Sequence, residues 1–274
     1  MYAFGPIPRQ KRTGRVIGTH QKIDRVARRH FERHISTLDF PGIRDILHFE
    51  GSRGPDGIKL KSPGRDEPWH FINPANIDTR SPLLVDIRDH QHNLAVALNA
   101  RDTMRAAFEA AWLAHAVTDG LTPAHHEPLE EQLEGLRPTD DRGKKVRGKI
   151  VMAGNGSKRQ FIKNNWSYWG AKGIMTTHTL FEAGVATAAK PLSFKVAAAT
   201  DKEVNDLATR GFEALYTDMI LAINDLGMYT RFKRDGWTTT LARQTTKTLI
   251  PTIIHAVELA WLEAYSIASK EVIS

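Results

Sequence analysis

Apolar residues recur along most of this chain at intervals of three and four positions, the spacing of one buried face of an α-helix. The alternating pattern of a half-buried β-strand is almost absent. The sequence therefore predicts an all-α protein of roughly seven helices. They are predicted at about 19–38, 83–99, 102–119, 175–189, 202–225 and 240–268, with a short one near 129.

Proline and glycine mark where the predicted helices end. Thr19 can cap the first helix, which ends before Pro41, and Pro123 stops the helix that begins at 102. Residues 49–81 are rich in Gly, Pro and Asp and predict a long irregular loop. Compact domains rarely contain such a loop unless it carries function.

The chain has 274 residues and a formal net charge of +7, and two segments supply the positive excess. Residues 1–18 hold four Lys or Arg and no acid, and residues 142–163 hold eight and no acid. We interpret residues 1–18 as a basic arm and residues 19–274 as one helical domain with a flexible basic insertion at about 137–172. Such segments could attract nucleic acid or phospholipid headgroups, or could be solvated loops.

The sequence also excludes several classes of protein. It contains no cysteine, so a disulfide framework and a thiolate zinc site are impossible. The longest apolar stretch, 249–268, includes His255, Glu258 and Glu263, and predicts a buried helix and not a membrane span. Residues 1–20 lack the apolar core of a secretory signal. We therefore expect a cytoplasmic protein, or a secreted one if the chain is a processed form.

The chain has 12 histidines, and four of them stand four residues before an acid, where chance predicts about one. The pairs are His20/Asp24, His115/Asp119, His126/Glu130 and His178/Glu182. Residues four apart share a helix face, so each pair could present nitrogen and oxygen to one ion. The same spacing also makes ordinary salt bridges.

His115 and Asp119 carry the strongest signal because they end an otherwise apolar helix. A buried polar pair there needs partners, which a metal would supply. His125 follows beyond Pro123, so the pattern H-x3-D-x3-P-x-H brings a third ligand back over the helix end. The alternative is a helix end whose polar side chains bond to loop backbone.

This pattern resembles the superfamily of zinc-dependent phospholipases C and single-strand-specific nucleases. The resemblance covers most of the chain in the right order. Its matching features are Asp56 in Gly-Pro-Asp, His70 in Pro-Trp-His-Phe-Ile-Asn-Pro, the H-x3-D-x3-P-x-H run, His178-Thr-Leu-Phe-Glu182, the early His20, and the final helix with Trp261 and Tyr265.

The resemblance implies an all-α zinc hydrolase fold and a set of metal ligands. One zinc would lie on Asp56, His70, His115 and Asp119, and a second on His125, His178 and Glu182. A possible third would use His20 and Asp119, with Asp24 as a candidate further ligand or, alternatively, as a surface partner of Arg28.

The implied activity is hydrolysis of a phosphodiester by a metal-bound hydroxide, with Asp56 and Asp119 as catalytic residues. Glu182 favours a phospholipase C over a nuclease. Trp166 and Trp169, among basic residues, are candidate substrate-binding residues that could stack on single-stranded nucleic acid, contact a membrane surface or pack on the body. Lys59 is a candidate phosphate contact. A metal-binding module without turnover is the alternative from another class.

Overall fold

The computed structural model describes residues 18–36, 38–50, 53–59, 70–127 and 156–273, and the single residues 136, 152 and 154. Every regular element in these ranges is helical, so the predicted all-α class is confirmed. Residues 1–17 of the predicted arm at 1–18, the predicted helix near 129 and most of the basic insertion lie outside the described residues. Over the described ranges, no helix combines the length and the apolar character needed to cross a membrane.

Twelve α-helices are described in these ranges. They are α1 (Thr19–Phe31), α2 (Ile43–His48), α3 (Pro55–Lys59), α4 (Pro82–Asn99), α5 (Thr103–Gly120), α6 (Lys158–Trp169), α7 (Ile174–Ala189), α8 (Asp201–Arg210), α9 (Phe212–Asp225), α10 (Met228–Asp235), α11 (Thr239–Gln244) and α12 (Ile250–Ile273). Short 3-10 turns cover Glu32–His34, Pro74–Asn76 and Pro123–His125, and a π-helical segment, Thr245–Leu249, joins α11 to α12.

Helices α1, α4, α5 and α12 pack together around the main apolar core. Helix α5 lies at its centre and is buried on nearly all sides, with alanines that allow close approach of its neighbours. Trp261 of α12 is fully buried, and its indole N–H donates to the carbonyl of Ala110 in α5 at 2.9 Å. This hydrogen bond ties the middle of α5 to α12.

Several elements differ from the predicted ones. The first helix ends at Phe31 and continues only as a 3-10 turn. The helix predicted at 202–225 is two helices, because Gly211 adopts φ 74°, a conformation open to glycine that interrupts the helix. Residues 158–169, predicted to belong to a flexible insertion, form the regular helix α6.

Candidate metal centre

The C-terminal end of α5 carries two buried polar side chains one helical turn apart. His115 Nε2 lies 3.2 Å from Asp119 Oδ2. Just after Asp119, Gly120 packs so closely on α9 and α4 that a Cβ there would overlap the Tyr216 hydroxyl and lie 2.8 Å from Leu83 Cδ2. The Tyr216 hydroxyl donates to the carbonyl of Val117 at 2.9 Å. Tight packing thus fixes the turn of helix that presents Asp119.

Helices α1 and α3 bring two further groups to His115 and Asp119. His20 Nε2 lies 3.5 Å from Asp119 Oδ1, and its ring stacks on that of His115 with centroids 4.1 Å apart. Asp56 Oδ1, from the first turn of α3, lies 3.6 Å from His115 Nε2. Ligand atoms of His20, Asp56 and His115 all lie within 4.8 Å of one another, as a shared metal ion requires.

His70 reaches the same place from the segment before α4. Its Nδ1 contacts Asp119 Oδ2 directly, and both side chains are buried. His70, His115 and Asp119 form a second group of donor atoms within 4.8 Å of one another. The backbone N–H of Ile72 donates to the carbonyl of His125 at 3.1 Å, which ties this segment to the turn beyond α5.

The third group joins α7 to the turn after α5. His125 Nε2 and His178 Nε2 each lie 3.2 Å from Glu182 Oε1, and the two rings stack with centroids 5.1 Å apart. His125 Nδ1 also lies 3.5 Å from Asp119 Oδ1. His125 therefore links this group to the one around Asp119, and the three groups form one continuous centre.

The electrostatics of this centre favour ionised carboxylates. Burial alone would raise the pKa of Asp119, yet the surrounding histidines hold this pKa well below its usual value. The pKa of Glu182 is likewise held well below its usual value, despite burial, by its two histidine neighbours. Burial lowers the pKa of His125 to about 3, so this ring is neutral and able to bind a metal.

Glu50 is a member of the centre that no sequence pattern indicated. It is buried, and His115 Nδ1 donates to its Oε1 at 3.0 Å. A carboxylate in this position fixes the ring and its tautomer and directs Nε2 away, toward Asp119 and Asp56. The signal that could have found it is weak: it stands in the predicted irregular loop, with no histidine at ligand spacing.

Asp24 is also buried, and is not a surface partner of Arg28. Arg28 instead pairs with Glu32 and donates to the carbonyl of Pro41. Burial, and then the negative charge of Glu50, raise the pKa of Asp24 well above its usual value. The Asp24 carboxyl is thus poorly suited to serve as a metal-binding anion.

Two tests indicate that these residues could hold a metal ion. The donor set consists only of imidazole nitrogen and carboxylate oxygen, which suits zinc and similar divalent ions. Buried His115 Nε2 and His125 Nδ1 make no hydrogen bond in the part of the chain that the structure describes, although carboxylate oxygens lie near both. Buried polar atoms usually have partners, and a metal would supply them here.

The remaining candidates whose side chains are described lie outside this cluster. His126 Nε2 donates to the carbonyl of Gly120 at 2.8 Å, so His125 and not its neighbour enters the centre. Lys59 ends α3, and its side chain lies outside the described atoms. Trp166 and Trp169 lie on α6 with 70% and 45% of their surface exposed. In the described ranges, neither tryptophan belongs to a candidate metal-ligand group.

A comparison of the chain with models of protein families finds no match, and a search of curated proteins likewise finds no similar protein.

Proposed function

We propose that this protein is a zinc-dependent phosphoric ester hydrolase that cleaves a phosphodiester, most closely resembling a phospholipase C. The observation that carries the proposal is the convergence of eight donor residues on one largely buried centre. They are His20, Asp56, His70, His115, Asp119, His125, His178 and Glu182. The family resemblance implied this same set of residues. Ordinary salt bridges would not require three groups of potential metal ligands to lie together around Asp119.

When bound, zinc ions would polarise a phosphoryl oxygen and activate water for attack on phosphorus. His70, His115 and Asp119 would hold one ion, and His125, His178 and Glu182 another. His20 and Asp119 could contribute to a third.

The chain's own residues supply position and access. The side chain of Asp56 is 25% exposed, whereas those of His115 and Asp119 are almost fully buried, so substrate and water reach the centre beside Asp56. Burial opposes ionisation of Asp56, but nearby histidines, His115 first, outweigh it and lower its pKa. This carboxylate is therefore ionised and can orient an attacking water by accepting its hydrogen bond. Asp119 lies 3.2 Å from His115 and 3.5 Å from His125, so it joins the ligand group of His115 to that of His125.

The test combines metal content with turnover. Purified protein is analysed for zinc and assayed on bis-p-nitrophenyl phosphate. We expect bound zinc and hydrolysis, and His115→Ala should remove both together. His255→Gln, which changes a histidine paired with Glu203 outside the centre, is the matched control and should retain both.

The outcomes separate three classes of function. Zinc without hydrolysis favours a metal-binding module that lacks turnover. Absence of both zinc and hydrolysis refutes the proposal. If the diester is hydrolysed, a comparison of phosphatidylcholine with single-stranded DNA separates phospholipase from nuclease, and nuclease activity should weaken steeply with added salt.

A further inference from the structure

Among the residues that the structure describes, helix α6 is anchored to the protein through the face that carries Asn165 and Tyr168. Asn165 on this face donates to the carbonyl of Met152 at 2.8 Å and accepts from its N–H at 3.0 Å. Tyr168 is buried in a small apolar cluster with Met152. Thr176 of the next helix donates to the carbonyl of Trp169 at 2.9 Å. These contacts fix the orientation of the helix and direct the opposite face outward.

The outer face carries an apolar stripe. Ile162, Trp166 and Trp169 are spaced by four and three residues, which places them on one side of the helix. Their exposed fractions are 65%, 70% and 45%. Three exposed apolar side chains on one side of a surface helix indicate an interaction site, because exposed apolar residues ordinarily occur singly.

Positive charge surrounds the stripe. Lys158, Arg159 and Lys163 of the same helix are exposed, and the sequence between Asp141 and Glu182 contains no acid. A cationic helix face with tryptophans is the pattern of segments that lie in the headgroup region of a membrane. A second copy of the chain would bring like charges together, and Ile162 offers no ring on which a nucleic-acid base could stack.

Helix α6 also lies close to the metal centre. The cluster that buries Tyr168 includes Phe71. The Phe71 ring lies 5.1 Å from that of His125 and 6.4 Å from that of His178. Helix α6 packs on α7, which carries His178 and Glu182. A surface bound by α6 would therefore lie beside the centre.

We propose that the outer face of α6 docks the protein on an anionic phospholipid bilayer. Trp166 and Ile162 enter the interface while the three cations contact anionic headgroups. This inference deepens the proposed function, because it names a bilayer phospholipid as the substrate class. Only the naming of the substrate rests on the proposed function. Docking itself requires no turnover.

The experiment measures co-sedimentation of the full chain with large unilamellar vesicles of phosphatidylcholine, with and without phosphatidylglycerol. The variants are Ile162→Ser/Trp166→Ser and Lys158→Gln/Arg159→Gln/Lys163→Gln. The control is Met104→Ser, an equally exposed apolar residue in the first turn of α5, roughly 20 Å along that helix from Asp119. Thermal melting checks that each variant folds.

We expect binding to the anionic vesicles that falls about fivefold for each cation removed, or about a hundredfold for the triple variant. The loss for the apolar pair should be about tenfold or more, and the control should bind like the wild type. Failure of the wild-type protein to bind anionic vesicles overturns the inference, as does wild-type binding by both variants. Binding of single-stranded DNA in place of vesicles, lost in the same variants, overturns it in favour of a nucleic-acid surface.

Hydrolysis of bis-p-nitrophenyl phosphate by the wild-type protein is measured on the same preparation. This soluble diester needs no membrane, so vesicle binding without its hydrolysis refutes the proposed function and leaves the docking surface standing. Hydrolysis without vesicle binding supports the proposed function and refutes the docking surface.

Discussion

Removal of the Glu50 carboxylate should weaken metal binding although Glu50 is not itself in a ligand group. Glu50 accepts the N–H of His115 at 3.0 Å, and neither group is exposed to water. A buried hydrogen bond to a charged group contributes about 1.5–3 kcal/mol. Loss of an outer partner of a metal-ligating histidine commonly reduces metal affinity by about 10- to 100-fold, which is about 1.4–2.7 kcal/mol. The two magnitudes agree.

Two substitutions of Glu50 separate the contribution of its charge from that of its hydrogen bond to His115. In Glu50→Gln the amide oxygen can still accept from His115 Nδ1, so the orientation survives without the charge and the loss should be close to tenfold. In Glu50→Ala no acceptor remains and the loss should approach a hundredfold. Zinc affinity is measured by competition with a chromophoric chelator of known affinity.

Glu258 offers the matched control. It is a fully buried glutamate of α12 that pairs with His34. His34 lies beyond the C-terminal end of α1, whereas His20 of the metal centre lies at the N-terminal end of that helix. Glu258→Gln should lower the melting temperature without changing zinc affinity. Wild-type affinity in both Glu50 variants would refute the orienting role, and an equal loss in Glu258→Gln would show that affinity follows global stability.

Three further predictions concern packing and pH. Gly120→Ala should destabilise the protein by about 1–3 kcal/mol in denaturant titrations, because the added methyl group overlaps the Tyr216 hydroxyl; an unchanged midpoint would contradict this packing. Burial opposes protonation of His115, but nearby carboxylates outweigh it and raise its pKa well above the usual value, so zinc binding at neutral pH must displace a proton. Calorimetry in buffers of different ionisation enthalpy should detect that proton, and affinity should rise with pH. The hydrogen bond from His255, with those from Thr200, lowers the pKa of Glu203 from 4.5 to about 2, so the stabilisation from these bonds is present above pH 4.5 and is lost as pH falls toward 2. Acid titration of stability should show a shallower loss in His255→Gln.

The sequence predicted the parts of the fold that depend on local periodicity. The helices at 82–99 and 103–120 match the expected positions because their apolar residues repeat with helical spacing over many turns. Helix α6 was not expected, because its apolar residues face outward and its basic composition is typical of loops. Helix α10 has few apolar residues and lies between two glycines with positive φ, so it offered little periodic signal.

The candidate site shows the same division. His115 and Asp119 form a local pair whose geometry follows from helical spacing, and the structure places their side chains 3.2 Å apart. Glu50 meets His115 across 65 positions of sequence, and only the packing of α2 against α5 brings them together. Contacts that depend on tertiary packing leave no spacing in the sequence from which to predict them.

The charges of the centre provide a separate reason to expect divalent cations there. Asp56, Asp119 and Glu182 all have lowered pKa values, so three negative charges occupy a space that is largely closed to water. Such charges are costly unless paired or bound to metal. Glu50, which holds His115 from its other nitrogen, adds a fourth carboxylate to the centre, so two divalent ions would balance the four carboxylates.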